Sequence, residues 1–117
     1  ETNFKIVHPE MTLGEMLHDS VAKSTRNIFP VVDANYTFLG IILLDDIREF
    51  MFDTKLYATT KVETFTHRAP DHIYYGVDSM QTVMQKFQDS GAWNLPVVKD
   101  GKYMGFVSKS KLIRFTK

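Results

Sequence analysis

The 117-residue chain has no cysteine. Disulfides and thiolate metal sites are therefore excluded, and a reducing compartment is compatible with the composition. Long hydrophobic runs are also missing. Apolar runs such as Leu39 to Leu44 around Gly40 fall far short of the roughly 20 apolar residues a helix needs to span a bilayer, so these residues are not expected to insert into a membrane. Charge of one sign is lacking too: 14 Lys and Arg face 14 Asp and Glu, with a pI near 7.2. Nucleic acid is not an expected partner, because its backbone demands clustered basic residues. The six glycines are scattered and form neither a P-loop nor a dinucleotide fingerprint. No signal-peptide pattern opens the chain, and Glu1 rather than methionine stands first; a piece of a longer protein is expected.

What is present is a repeat. Phe29-Pro30-Val31-Val32 followed by Leu39-Gly40-Ile41-Ile42 recurs as Leu95-Pro96-Val97-Val98 followed by Met104-Gly105-Phe106-Val107. Pro30 to Pro96 is an offset of 66 and Gly40 to Gly105 one of 65, so one residue is lost in the second turn. Upstream, Val7, Thr12, Leu13 and Leu17 match Val77, Thr82, Val83 and Phe87 at an offset of 70. Each half is under about sixty residues and would be marginal alone, so a shared core is expected. Clefts between paired units are frequent ligand sites.

Local patterns give the same element order twice. Phe4 to Val7 reads as a strand, and Thr12-Leu13-Gly14-Glu15 has capping-box spacing before a helix with Leu13, Met16, Leu17 and Val21 on one stripe. Phe29–Asp33 and Phe38–Leu43 read as strands joined by a turn at Ala34-Asn35, and Asp45 is the expected cap of a helix carrying Ile47, Phe50 and Met51. Asp53 to Thr60 is a polar connector, and Val62 to Asp71 is ambiguous. Ile73 to Val77 resumes as a strand. Ser79 caps a helix with Met80, Val83, Met84 and Phe87 in register, stopped by Gly91. Leu95–Val98, the turn Asp100-Gly101 and Tyr103–Val107 form a hairpin, and Ser108 or Lys109 opens a last helix through Leu112, Ile113 and Phe115. The expected fold is α+β: two β-α-β-β-α units, 1–58 and 59–117, related by a pseudo-two-fold, sheets packed together and helices outside.

A helix, x-Pro-Val-Val, a turn, a strand with Gly-aliphatic-aliphatic, then Ser/Thr-x-x-Asp leading a helix resembles the CBS domain, and two in tandem resemble a Bateman module. Met104-Gly105-Phe106-Val107-Ser108-Lys109-Ser110-Lys111 is also similar to the last CBS repeat of CLC-type chloride channels. The resemblance implies a non-enzymatic module that binds an adenine nucleotide between its repeats and reports occupancy to an attached domain. Backbone near the x-Pro-Val-Val strand would hold adenine, at Ile28, Phe29 and Pro30 or at Asn94, Leu95 and Pro96. The Ser/Thr hydroxyl would meet phosphate, and the aspartate three residues later would accept both ribose hydroxyls, a task suited to a group that offers only acceptors.

Neither copy keeps the whole motif. The first has Asp46 at the ribose position but Leu43 where the hydroxyl belongs; the second keeps Ser108 but has Lys111 in place of the aspartate. Lysine cannot accept from ribose, though it can pair with phosphate. Each residue also has a plainer reading: Asp45 and Asp46 as favourable carboxylates at a helix start, Ser108 as a cap, Lys111 as a solvated cation. At most one occupied cleft is expected, with AMP, ADP or ATP as candidate ligand and no required cofactor.

The four histidines, His8, His18, His67 and His72, include one pair five apart with no ligand-rich company, so no metal site is expected. No nucleophile elbow or activated serine is recognisable. Met80-Met84-Phe87 and Met16-Leu17 lie on equivalent helices and are candidates for a homodimer contact, with core packing as the competing reading. Trp93 and Tyr103 are candidate cleft walls, Trp93 the better one. The expectation is a regulatory, dimerising module of a CLC-type channel or transporter, attached to the membrane-embedded transport domain of the same chain on its cytoplasmic side. The rivals are a purely structural dimerisation module whose pocket has decayed and the regulatory insert of a soluble enzyme.

Overall fold

In a computed structural model, which describes residues 5–22, 26–50 and 52–116 with side chains as far as Leu112, the capping box forms as its spacing requires. The Glu15 amide donates to the Thr12 hydroxyl at 3.2 Å, and the Thr12 amide donates to Glu15 Oε1 at 2.9 Å. Helix α1 (Leu13–Met16) runs into a π-helical turn, Leu17–Val21, closed by the Ala22 amide on the Leu17 carbonyl at 3.0 Å. The described residues divide into two compact units, one ending at Arg68 and the next beginning at Ala69.

In the first unit, β1 (Ile28–Val32) and β2 (Phe38–Leu43) form an antiparallel hairpin, and α2 (Leu44–Ile47) follows, tightening into a 3₁₀ turn at Arg48–Phe50. The hairpin turn is held by Asp33, whose carboxylate accepts the amides of Asn35 and Thr37 at 2.8 and 2.9 Å. Val7, Leu13, Met16, Phe29, Val31, Ile42, Ile47 and Val62 are buried together and make this unit's core.

Three expectations change here. The strand expected at Phe4–Val7 is a single bridge, Val7 beside Val31 in parallel; Phe4 lies outside the described residues. Asp45 does not cap α2. The ladder carries β2 through Leu43, which leaves Leu43 as the cap with no side-chain hydrogen bond; Asp45 falls in the first turn and pairs with Arg48 at 2.7 Å. The supposed connector is fastened: the Leu13 and Gly14 amides donate to the Thr60 and Tyr57 carbonyls at 2.8 and 3.0 Å, while Leu56 and Tyr57 pack on the core. Met51 lies outside the described residues.

The second unit holds β3 (Ile73–Tyr74), α3 (Met80–Ser90), β4 (Asn94–Lys99), β5 (Lys102–Ser108) and α4 (Lys109–Thr116), with sheet order β3-β4-β5. Ser79 accepts the Thr82 amide at 3.1 Å and caps α3, and Gly91 ends it at φ 70°. Asp100 and Gly101 both take positive φ, 53° and 80°, as the tight hairpin demands. Strand β3 is shorter than expected. Tyr74 donates its amide to Asp78 at 2.9 Å, and this bends Tyr75 to Val77 into a turn with Val77 79 % exposed.

That turn corrects the upstream offset. Val7 is core and pairs with Val31, whereas the residue that pairs with Val97 is Ile73, 66 positions on rather than 70. The caps Thr12 and Ser79 are 67 apart. The letters around Val77 matched Val7 by coincidence. The hairpins do repeat faithfully: Val31 faces Gly40 and Val97 faces Gly105, and each ladder then slips one residue, leaving Leu39 and Met104 as equivalent bulges, both about half exposed. The architecture is α+β, twice over.

Candidate functional site

The end of each hairpin leads into a helix, and both ends are tied in the same manner. The Leu44 amide donates to the Asn27 carbonyl at 2.8 Å, and the Lys109 amide donates to the Trp93 carbonyl at 2.8 Å. This fixes Leu43 and Asp46 in one unit as counterparts of Ser108 and Lys111 in the other. Ile28 pairs with Leu43 and Asn94 with Ser108, so the proposed adenine strand and the hydroxyl position are neighbours in each ladder.

Phe29 and Leu95 have fully buried side chains, and Pro30 and Pro96 are buried beside them. The Pro30 carbonyl already accepts the Val7 amide at 2.9 Å. Ile28 and Asn94, at the strand starts, are partly exposed.

Asp46 stands in the first turn of α2, where the free amides of a helix start favour a carboxylate. Its Oδ2 is screened from solvent and lies 2.7 Å from His67 Nε2. That separation is an ion-pair distance, yet no donor is aligned on Oδ2 well enough for a hydrogen bond. The oxygen therefore keeps an unmet acceptor.

His67 reaches this position through its backbone. Its amide donates to the Ile41 carbonyl and its carbonyl accepts the Ile41 amide, both at 2.8 Å, adding a one-residue edge to β2. Gly40 makes room: a Cβ there would lie 2.4 Å from the His67 carbonyl oxygen. Sequence reasoning considered His67 only as a metal ligand and missed its place beside Asp46. The signal available was Gly40 itself, since a glycine inside a strand often marks close approach of another backbone.

The second unit arranges its residues differently. The Ser108 hydroxyl accepts the Lys111 amide at 3.3 Å and lies 3.4 Å from the Ser110 hydroxyl, so it serves its own helix start. Lys109 places its ammonium 5.1 Å from the centre of the Trp93 ring, and Trp93 is 66 % exposed. Tyr103 is buried, its ring edge-on against Phe106. Met16 and Phe87 are fully buried and Met84 packs on the second core, which removes the first two from any dimer contact; Met80 is half exposed. Among the described residues no cluster of His, Asp and Glu has the composition of a metal site.

One further charged group is well enclosed. Lys86 donates to Asp78 at 2.7 Å and to the His72 carbonyl at 2.8 Å, with the Tyr74 ring 4.5 Å away. The Lys86 hydrogen bond, assisted by the Tyr74 amide, holds the Asp78 carboxyl below its ordinary value. These contacts tie the end of β3 to α3.

Two hairpin-to-helix ends of one design, each led by a buried x-Pro-Val-Val strand, mark a paired module. Residues 1–53 and 67–117 both match the CBS domain, and the chain belongs to the CBS domain family as a tandem pair. No curated protein sequence matches it. Solved structures share the fold at low identity. OpuCA of Staphylococcus aureus is 18 % identical, with 96 % of this chain and 90 % of that one covered and a TM-score of 0.75. CBSX2 in complex with AMP is 21 % identical over 99 % and 89 %, TM-score 0.74. The CBS domain of a bacterial CNNM/CorC family Mg2+ transporter in complex with ATP is 18 % identical over 97 % and 78 %, TM-score 0.75.

Proposed function

We propose that this CBS pair is a non-catalytic regulatory module that binds an adenine nucleotide through the first repeat, with Asp46 accepting the ribose hydroxyls. The observation that carries this reading is the unmet, solvent-screened oxygen of Asp46 at the start of α2. AMP and ATP in the complexes of two solved relatives support the ligand class. The main chain at Ile28, Phe29 and Pro30 would receive adenine. In the second repeat the Ser108 oxygen accepts the Lys111 amide, which leaves its O–H to donate to a phosphate.

The parent would be a membrane transport protein, of the CLC type to which residues 104–111 are similar, with this module on the cytoplasmic side and dimerising through its helices. A Mg2+ transporter among the solved relatives supports a transport context. Regulation would follow from population shift, a nucleotide favouring one arrangement of the module and biasing the attached domain. A second reading, a dimerisation module with a decayed pocket, is favoured by the split of the motif: Leu43 stands at the hydroxyl position of the first repeat and Lys111 at the carboxylate position of the second.

Thermal unfolding in millimolar AMP, ADP, ATP and S-adenosylmethionine separates the two. A ligand at 100 times its dissociation constant adds about 2.7 kcal/mol and raises the midpoint. A flat response to all four leaves the structural reading. Asp46→Ala should abolish any shift, and Ser108→Ala should leave most of it.

A further inference from the structure

The one basic side chain within ion-pair distance of Asp46 among the described residues is supplied by the chain itself. His67 Nε2 stands 2.7 Å from Oδ2, with the two side chains 56 % and 37 % exposed. The root of the imidazole is fixed by the paired Ile41 hydrogen bonds and by the space over Gly40, while the exposed ring is free to change rotamer. On α2 and its continuation, Asp45 and Arg48 pair with each other and Glu49 is exposed; Arg68, which follows His67, is exposed.

We infer that His67 is an intramolecular competitor for the ribose carboxylate: an adenine nucleotide must move the imidazole off Asp46 before its ribose hydroxyls can donate to that oxygen. The inference rests on the nucleotide reading above and adds its regulation. A carboxylate that already faces a partial or full positive charge is a poorer acceptor for a neutral ligand group, and protonating the imidazole deepens that preference. Histidine ordinarily gains its charge between pH 8 and about 6, where an aspartate stays ionised. Protonation of the imidazole therefore tightens the contact and weakens ribose binding. The second unit has Lys111 at the equivalent place and no carboxylate to guard, so the device belongs to the first repeat alone.

Phosphate on the ligand would be drawn to an imidazolium and blur the effect, so adenosine, which has the ribose and no phosphate, is the cleaner probe alongside AMP. Isothermal titration of wild type, His67→Ala and His67→Asn at pH 6 and pH 8 tests the inference. Both variants keep the backbone bridge to Ile41, and a thermal midpoint close to wild type checks that they fold. At pH 6 the variants should bind adenosine about two- to fivefold more tightly than wild type, the factor an exposed ion pair is worth, and should lose most of the pH dependence. Variants that bind more weakly would make His67 a ligand contact and overturn the inference. Unchanged affinity and pH profile in the variants, with Asp46→Ala still abolishing AMP binding, would defeat the competitor and leave the nucleotide site standing. Absence of AMP and adenosine binding in every protein would remove the nucleotide site and the competitor together.

Discussion

The two hairpins share a ladder register, a bulge and a backbone tie to the following helix, yet they end in opposite chemistry. The first ends in Leu43 and Asp46, with His67 against the carboxylate; the second ends in Ser108 and Lys111, with the hydroxyl turned onto its own helix. Backbone architecture tolerates almost any side chain at an exposed helix start, so it can be kept while the chemistry there diverges. What differs between the repeats is therefore informative about function, and what is shared is informative about folding.

The largest expected effect lies where the shared part is densest. Phe87 is fully buried eight residues after the cap of α3, while the residue eight after Thr12 is Ser20, also buried but small and polar. Phe87→Ala should cost about 3–5 kcal/mol in denaturant unfolding, because its ring leaves a cavity that the core cannot fully close. Ser20→Ala should cost under about 1 kcal/mol, since among the described residues its hydroxyl makes one long 3.5 Å bond, to the Ile6 carbonyl. Equal costs would show that the two cores are not organised around their helices as described.

Next is Gly40→Ala. A Cβ 2.4 Å from the His67 carbonyl meets main chain that cannot rotate aside, so about 3 kcal/mol is expected from overpacking. The same variant should free the imidazole from Asp46, which NMR chemical shifts of the His67 ring would register. A stability loss without that change would separate the packing role of Gly40 from its placement of His67.

Lys86→Met tests a contact found in the second unit. It leaves Asp78, only 9 % exposed at its side chain, without its ammonium partner, and about 1.5–3 kcal/mol should be lost near neutral pH. The pH dependence has a definite sign. Asp78 titrates below its ordinary value when folded, so its stabilisation is complete above the unfolded value near pH 4 and fades as pH falls through the folded one. Wild type should lose stability in that acid range more steeply than Lys86→Met. Parallel curves would mean that Lys86 is not what lowers Asp78.

Much of this fold was legible because local rules and tertiary structure agree in it. Thr12, Ser79, Gly91 and Asp100-Gly101 each did what their side chains or backbone freedom dictate, and the x-Pro-Val-Val strands are core in both copies. Illegible parts depend on partners distant in sequence. Val77 looked like a strand residue until Asp78 drew the Tyr74 amide into a turn, and Thr60 looked like linker until its carbonyl was claimed by Leu13. For the site, Asp46 and Ser108 could be placed from spacing, but His67 could not: it arrives beside Asp46 from 21 residues along the chain through a bridge to Ile41.

The smallest expected effect is the sharpest test of how the repeats diverged. Leu43 is the cap residue of α2, offers no side-chain hydrogen bond, and is exposed enough to lose little packing when replaced. Leu43→Ser gives the first repeat the hydroxyl that the second one has. By the geometry of Ser108 and Lys111, the new hydroxyl should accept the Asp46 amide three residues on and stabilise the unit by about 0.5–1 kcal/mol. The cap uses a lone pair of that hydroxyl and leaves its O–H able to donate, so the unfolding midpoint should rise while ATP affinity reports separately on whether the O–H meets phosphate. The opposite result, tighter ATP binding without added stability, would mean that the hydroxyl at this position serves ligand before helix. Ser108 would then be a phosphate contact held in reserve, and the second repeat would have lost only its carboxylate.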